Sequence, residues 1–169
     1  MKERKMLYIV AFIFILGIAV LLFFRSPETF WELAIGDPDL GHVDFPTVKK
    51  TTKPNQFLLC PKDICKNETP DAEPPVFKMT KERLKASFIQ ALGTEGRSTV
   101  DDAGDGLRFI MRSPIFRFPD TINAEFFDVQ GGATLAVYAR AQIGYKDFRV
   151  NEKRVRRWLA TLETNHPPR

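Results

Sequence analysis

The chain has 169 residues, enough for one domain with extensions, and its 44% hydrophobic content, including 15 phenylalanines, supplies material for a core. The net charge of +4 is concentrated at the start: residues 1–25 carry Lys2, Arg4, Lys5 and Arg25 against Glu3, and everything beyond balances to +1. A nucleic-acid binder places its positive charge on the folded domain, so this distribution argues against nucleic acid as a partner.

Met6 to Phe24 reads MLYIVAFIFILGIAVLLFF, 19 residues without a charge. At about 1.5 Å per residue such a helix covers about 28 Å, close to the hydrocarbon thickness of a bilayer, so residues 6–24 read as a membrane span. A cleavable signal peptide is the rival. Its apolar region is shorter and ends at an A-x-A-like site, whereas Arg25-Ser26-Pro27 follows here and Ala34-Ile35-Gly36 lies well beyond the run. We therefore expect an uncleaved anchor over 1–25. Three basic residues precede the span and one follows it, which predicts a cytoplasmic N-terminus and an extracytoplasmic remainder.

Ser26-Pro27-Glu28 is a helix start: Ser as N-cap, Pro in the first turn, an acid beside it. Phe30, Trp31, Ala34 and Ile35 share one face and Gly36 can end the helix. That face suits the membrane interface and equally suits packing on the soluble domain.

Eight of the 12 prolines fall between Pro27 and Pro75. Proline removes backbone donors and restricts its predecessor, so residues 26–76 read as a juxtamembrane segment followed by an extended connector, with regular structure not expected over 37–76. The only two cysteines lie there, in CPKDIC. In an oxidising compartment Cys60 and Cys65 can close a small disulfide loop; free thiols are the alternative. Zinc requires more ligands than this, and His42 and His166 are distant in sequence, so no metal is expected.

The folded domain is expected over 77–164, with 165–169 as a tail. Thr80 caps a helix that ends near Gly93, with Leu84, Phe88 and Leu92 repeating every four residues and Ile89 widening the stripe. Ser98–Asp101 and Leu107–Arg112 flank DAGDG, which reads as a hairpin connection; as a calcium loop it has Ala103 where a ligand is needed and Arg112 in place of the final Glu. Asn123–Val129 and Ala133–Gln142 flank Gln130-Gly131-Gly132 as a second hairpin. A last helix has Asn151 as N-cap and Val155, Trp158, Leu159 and Leu162 facing inward, with Lys153, Arg154, Arg156 and Arg157 outward.

The order is helix, four antiparallel strands, helix, a two-layer α+β domain after a single transmembrane helix. Alternation puts Leu135, Val137, Ala139 and Ala141 on one sheet face and Thr134, Tyr138, Arg140 and Gln142 on the other. In the same way Leu107, Phe109 and Met111 oppose Arg108, Ile110 and Arg112. The second face is expected to be open, or covered only by the connector. It is either a solvated face with cross-strand ion pairs or a surface for an anionic or amphipathic ligand.

The stretch LAVYARAQIGYKDFRVNEKRVRRWLATL resembles the C-terminal signature of domain-of-unknown-function family 1499. CPKDIC, RSPIFRFPDTINAEFFDV and DPDLGHVDFPTV fit as well, so the resemblance covers most of residues 37–162. Its most specific elements are Arg140, Gly144, Asp147, Asn151 and Arg154. It implies a membrane-anchored bacterial member, facing the periplasm from the inner membrane. Ala139-Arg140-Ala141-Gln142 replaces a usual Ser-Arg-Ser-Arg, and Arg149 replaces a usual Gly. The resemblance implies no particular activity.

The candidate ligand-binding or structural network is Arg112, Asp120, Glu125, Tyr138, Arg140, Asp147, Asn151 and Arg154, with Asp147 and one of Asp120 or Glu125 expected beside Arg140. No P-loop or dinucleotide glycine pattern occurs, and no cofactor is expected. The leading expectation is a non-enzymatic envelope domain that binds an anionic or lipid-like ligand or a protein partner. The alternative is a hydrolase or transferase working through paired carboxylates among Asp120, Glu125 and Asp128.

Overall fold

The computed structural model describes residues 2–93, 97–101, 104–145 and 147–168. Two helices open the chain. Helix α1, Lys2–Arg25, is long and apolar enough to cross a bilayer, and none of its apolar stretch is buried against the rest of the chain. Helix α2, Pro27–Ile35, follows after Ser26 as its N-cap and ends at Gly36, whose φ of 85° suits glycine. The Ser26 hydroxyl bonds to the Thr29 hydroxyl at 2.8 Å and makes no backbone cap bond.

The domain is a five-stranded antiparallel sheet with two helices on one face. Its elements are β1 (Gln56–Leu59), α3 (Lys81–Leu92), β2 (Arg97–Asp101), β3 (Gly106–Arg112), β4 (Pro119–Val129), β5 (Gly132–Ala141) and α4 (Val150–Asn165), with strand order β1-β5-β4-β3-β2. The two expected hairpins are present as β2–β3 and β4–β5. Asp102 and Ala103, the first two residues of DAGDG, lie outside the described residues. Gly132 is required by a close approach: a Cβ there would lie 1.9 Å from the Phe77 carbonyl oxygen, because Phe77 and Ala133 exchange backbone hydrogen bonds next door.

Helices α3 and α4 cover one sheet face. Leu84, Phe88 and Leu92 of α3 and Val155, Trp158 and Leu162 of α4 pack on Phe109, Ile122, Phe126, Leu135 and Val137, the alternate residues of the strands. Thr80 caps α3 by accepting from the Arg83 amide. Phe88 and Phe109 both set their rings against Trp158 at 5.9 Å.

The segment 37–76 corrects the expectation of a chain without regular structure. Between Pro54 and Pro61 it supplies strand β1, whose Gln56–Leu59 pair with Val137–Arg140 of β5. The rest crosses the second sheet face as a strap, irregular but for one 3-10 turn at Phe45–Thr47. Val43, Phe45, Val48, Cys60 and Cys65 form a second core there with Leu58, Ala136 and Tyr138. Proline forbids most of this strap a ladder, so its polar groups are tied down individually: the Leu40 amide donates to the Thr121 hydroxyl at 3.0 Å, and that hydroxyl donates to the Pro38 carbonyl at 2.9 Å. Cys60 and Cys65 are joined by a disulfide inside this second core. Both are buried, so the disulfide is part of the packing of this core.

The start of α4 corrects two further expectations. Asn151 is not the cap. Asp147 does that work: its carboxylate accepts from the Arg149 amide at 3.0 Å and the Asn151 amide at 2.9 Å. A carboxylate is the stronger acceptor and sits at the positive end of the helix. Asn151 is fully buried instead, on the same stripe as Arg154, Val155 and Trp158, so Arg154 faces inward and not into solvent.

Candidate functional site

Several expected residues meet where the ends of β3 and β4, the start of α4 and helix α2 converge. Asp120 opens β4 and points to the helix side, where its Oδ2 accepts from Arg154 Nη1 at 2.7 Å. The same Nη1 donates to Asn151 Oδ1 at 2.9 Å. Burial pushes the Asp120 carboxyl above its ordinary range, against the opposing pull of Arg154. With Asp147 holding the first turn of α4, these four residues fix the helix against the sheet.

Beside this network lies a cleft of about 510 Å³ lined by Arg112, Arg117, Lys153, Arg154 and Arg157, with Val150 at its edge and no carboxylate on its walls. Acids outside the cleft pair with three of these cations: Asp120 with Arg154, Glu28 with Arg117 at 2.8 Å, and Glu32 with Arg112 at 3.3 Å. The Arg112 side chain is only 9% exposed, and its Nη1 has no hydrogen-bond partner. A buried guanidinium nitrogen left without an acceptor costs free energy that a bound anion would recover.

One wall of the cleft is the loop between β3 and β4. The Ser113 hydroxyl accepts from the Phe118 amide at 2.9 Å, the Ser113 amide donates to the Phe118 carbonyl at 3.0 Å, and Arg117 adopts φ 56° to close the turn. This closure leaves Ile115 and Phe116 exposed at the tip. Helix α2 braces the loop: Trp31 Nε1 donates to the Phe116 carbonyl at 2.6 Å, and the Trp31 ring lies 4.9 Å from that of Phe118. Of the two placements expected for α2, packing on the domain is the one these contacts describe.

Arg140 lies elsewhere, on the strap-covered face. Its Nη2 donates to the Gly41 carbonyl at 2.9 Å, its guanidinium sits 5.2 Å above the Tyr138 ring, and its Nε is buried without a partner. The Tyr138 hydroxyl bonds to Gln56 Oε1, and burial raises its pKa. The acid near Arg140 is Asp39 of the strap, which also pairs with Arg108 at 3.2 Å. The expected neighbours Asp147, Asp120 and Glu125 are not there. Asp120 and Asp147 belong to the helix face, and Glu125 faces the other way beside His42, Asp44 and Asp105.

The carboxylates of the alternative reading do not converge. Asp120 and Glu125 point to opposite faces of β4, and Asp128 lies eight residues along from Asp120, about 27 Å at strand rise, accepting from the Lys81 amide. Among the described residues no group of three or more His, Cys, Asp or Glu is placed to hold a metal ion.

The sequence reading singled out Arg112, Asp120, Asn151 and Arg154 of this corner and missed Arg117, Lys153 and Arg157 as cleft walls. The available signal was spacing: Lys153 and Arg157 lie four apart and flank Arg154, so they rise on its side of the helix. Arg117 gave no signal, because its direction depends on a left-handed turn.

A family model described as a protein of unknown function (DUF1499) matches residues 47–162, from within the strap to the last buried leucine of α4. Neither the curated proteins nor the solved structures give a match. Helices α1 and α2 precede the matched region, whereas Arg112, Arg117, Arg154 and the disulfide lie within it, and on that match the chain belongs to the DUF1499 family.

Proposed function

We propose that this protein is a membrane-anchored binding domain that holds an anionic, phosphate-like group in the cleft between α4 and the β3–β4 loop. The observation that carries the reading is Arg112, a nine-tenths-buried guanidinium with Nη1 unpartnered, set among four more cations on a wall without carboxylates. Arginine's planar fork suits the oxygens of phosphate or carboxylate, and a site of this kind needs no reacting group. Helix α1 serves as the anchor in this reading. The basic flank before it favours a cytoplasmic N-terminus, with the domain on the far side of the membrane, in the periplasm of a bacterium. The disulfide agrees with an oxidising compartment.

The test is native mass spectrometry of the full chain released from detergent, without added ligand. The expected result is a co-purifying phosphate-bearing molecule on the wild type that is lost from Arg112→Gln. Because Arg112 is buried, the exposed pair Lys153→Gln and Arg157→Gln is measured alongside, and a folded double variant with reduced retention supports the same cleft. Equal retention in all variants, or retention of a polypeptide in place of a small anion, would overturn the reading.

A further inference from the structure

A ladder of aromatic rings leads from the apolar helix to the wall of the cleft. Phe23, in the last turn of α1, lies 6.4 Å from Trp31 of α2. Trp31 lies 4.9 Å from Phe118, and Phe118 stacks on Phe116 at 5.5 Å. Two ion pairs, Glu28–Arg117 and Glu32–Arg112, fasten α2 to the same wall. The β3–β4 loop is thus tied to the end of the segment that spans the membrane, with only the nine-residue α2 between them. At the tip of that loop Ile115 is 77% exposed and Phe116 54%, and in the loop before α4 Phe148 is 85% exposed. Phe148 also holds a positive φ of 53°, so its outward position comes with backbone strain. Large apolar side chains left bare at the tip of the loop that walls a basic cleft, beside a membrane span, describe a surface made for a bilayer: rings and aliphatic chains enter the headgroup region while cations meet its phosphates.

We propose that the β3–β4 loop tip, Ile115 and Phe116, inserts into the outer part of the same bilayer that α1 spans, and that the cleft takes the phosphate of an anionic phospholipid headgroup from it. This rests on the anion-binding reading above and adds the source of the anion. The lipid then arrives already oriented: its acyl chains stay beside Ile115 and Phe116, and its phosphate reaches Arg112 and Arg117 without leaving the membrane. The tether supplies the encounter, because a domain held at the surface sees headgroups at high effective concentration.

The experiment uses the full chain in nanodiscs. Its own two cysteines are consumed in the Cys60–Cys65 disulfide, so Ile115→Cys gives one labelling site for an environment-sensitive fluorophore. Nanodiscs of phosphatidylcholine are compared with nanodiscs containing phosphatidylglycerol. The expected result is a blue-shifted label quenched by spin-labelled lipid, with the shift larger in phosphatidylglycerol and reduced toward the phosphatidylcholine value by Lys153→Gln with Arg157→Gln. A label that stays in water in both membranes would overturn the insertion. If inorganic phosphate still binds that protein, the cleft reading stands and only its lipid source falls. Insertion that is the same in both lipids and indifferent to the cleft variants would overturn the headgroup assignment.

Discussion

The two faces of this sheet are covered by opposite means. On one face, α3 and α4 lay regular apolar stripes over Phe109, Ile122 and Phe126 and satisfy their own backbone internally. On the other, a proline-rich strap with one disulfide covers Leu58, Ala136 and Tyr138, and its backbone groups are met singly by Thr121, Asn123 and Arg140. Each face carries an arginine withdrawn from solvent in part or in full. Arg154 on the helix face is buried with a carboxylate; Arg140 on the strap face holds a carbonyl. The difference teaches that a charge used to fix a helix and a charge used to fix an irregular segment fail differently when removed.

The largest effect is expected on the helix face. Arg154→Ala leaves Asp120 buried without its partner, a loss of about 3–5 kcal/mol, whereas Arg140→Ala removes the shorter of two bonds to the Gly41 carbonyl, which Asn123 still meets, about 1–3 kcal/mol. Urea denaturation of the two variants sets them side by side, and a greater loss for Arg140→Ala would reverse the comparison. Next, Cys60→Ser with Cys65→Ser is expected to cost about 2 kcal/mol in the chain-entropy model. Its footprint separates the faces: hydrogen exchange should quicken across the strap and β1 while the amides of α3 and α4 stay protected. Uniform quickening would mean the two faces fold as one unit.

A smaller effect is expected at Arg149, which stands at φ 63°, a backbone conformation that favours glycine. Arg149→Gly relieves left-handed strain, a gain of about 1 kcal/mol, less what the exposed pair with Glu152 contributes. That pair, with Arg156, holds the Glu152 carboxyl down from 4.5 to about 2. A lowered acid stabilises the fold above its unfolded pKa and loses that contribution as pH falls through the folded value. The gain from Arg149→Gly should therefore be larger near pH 2 than at neutrality, read as the difference in melting temperature. The smallest shift is expected at Glu125, whose pKa burial raises, helped by Asp44 and Asp105 against His42. A raised acid makes the fold lose stability as pH climbs from 4.5 through the folded value, so Glu125→Gln should raise the melting temperature at neutral pH and leave it unchanged in acid.

The helix face was legible in the sequence because its signals are periodic. Leu84, Phe88 and Leu92 announce α3, Val155, Trp158 and Leu162 announce α4, and alternation in β3 and β5 assigns their sides. The strap face was not. Four residues between Pro54 and Pro61 are too short a window to reveal β1, and strand formation there depends on the edge that β5 presents. Asn151 misled for a related reason: its type suits a cap, but the helix starts before it, and Asp147, three residues ahead of Val150, meets the Arg149 and Asn151 amides. The cleft was half legible. Arg112 and Arg154 stood out, but the convergence of Arg117 with them is a product of loop closure and of the brace from Trp31.

The central claim is that the cleft holds an anion on Arg112 and its neighbours. The most direct measurement is the melting temperature of the full chain in a neutral detergent, with and without inorganic phosphate at matched ionic strength. A ligand that binds only the folded state raises stability in proportion to the logarithm of its concentration once above its Kd. The account predicts a rise for the wild type that is lost in Arg112→Gln and diminished in Lys153→Gln with Arg157→Gln. A wild type indifferent to phosphate, or variants that gain as much as it does, would contradict it.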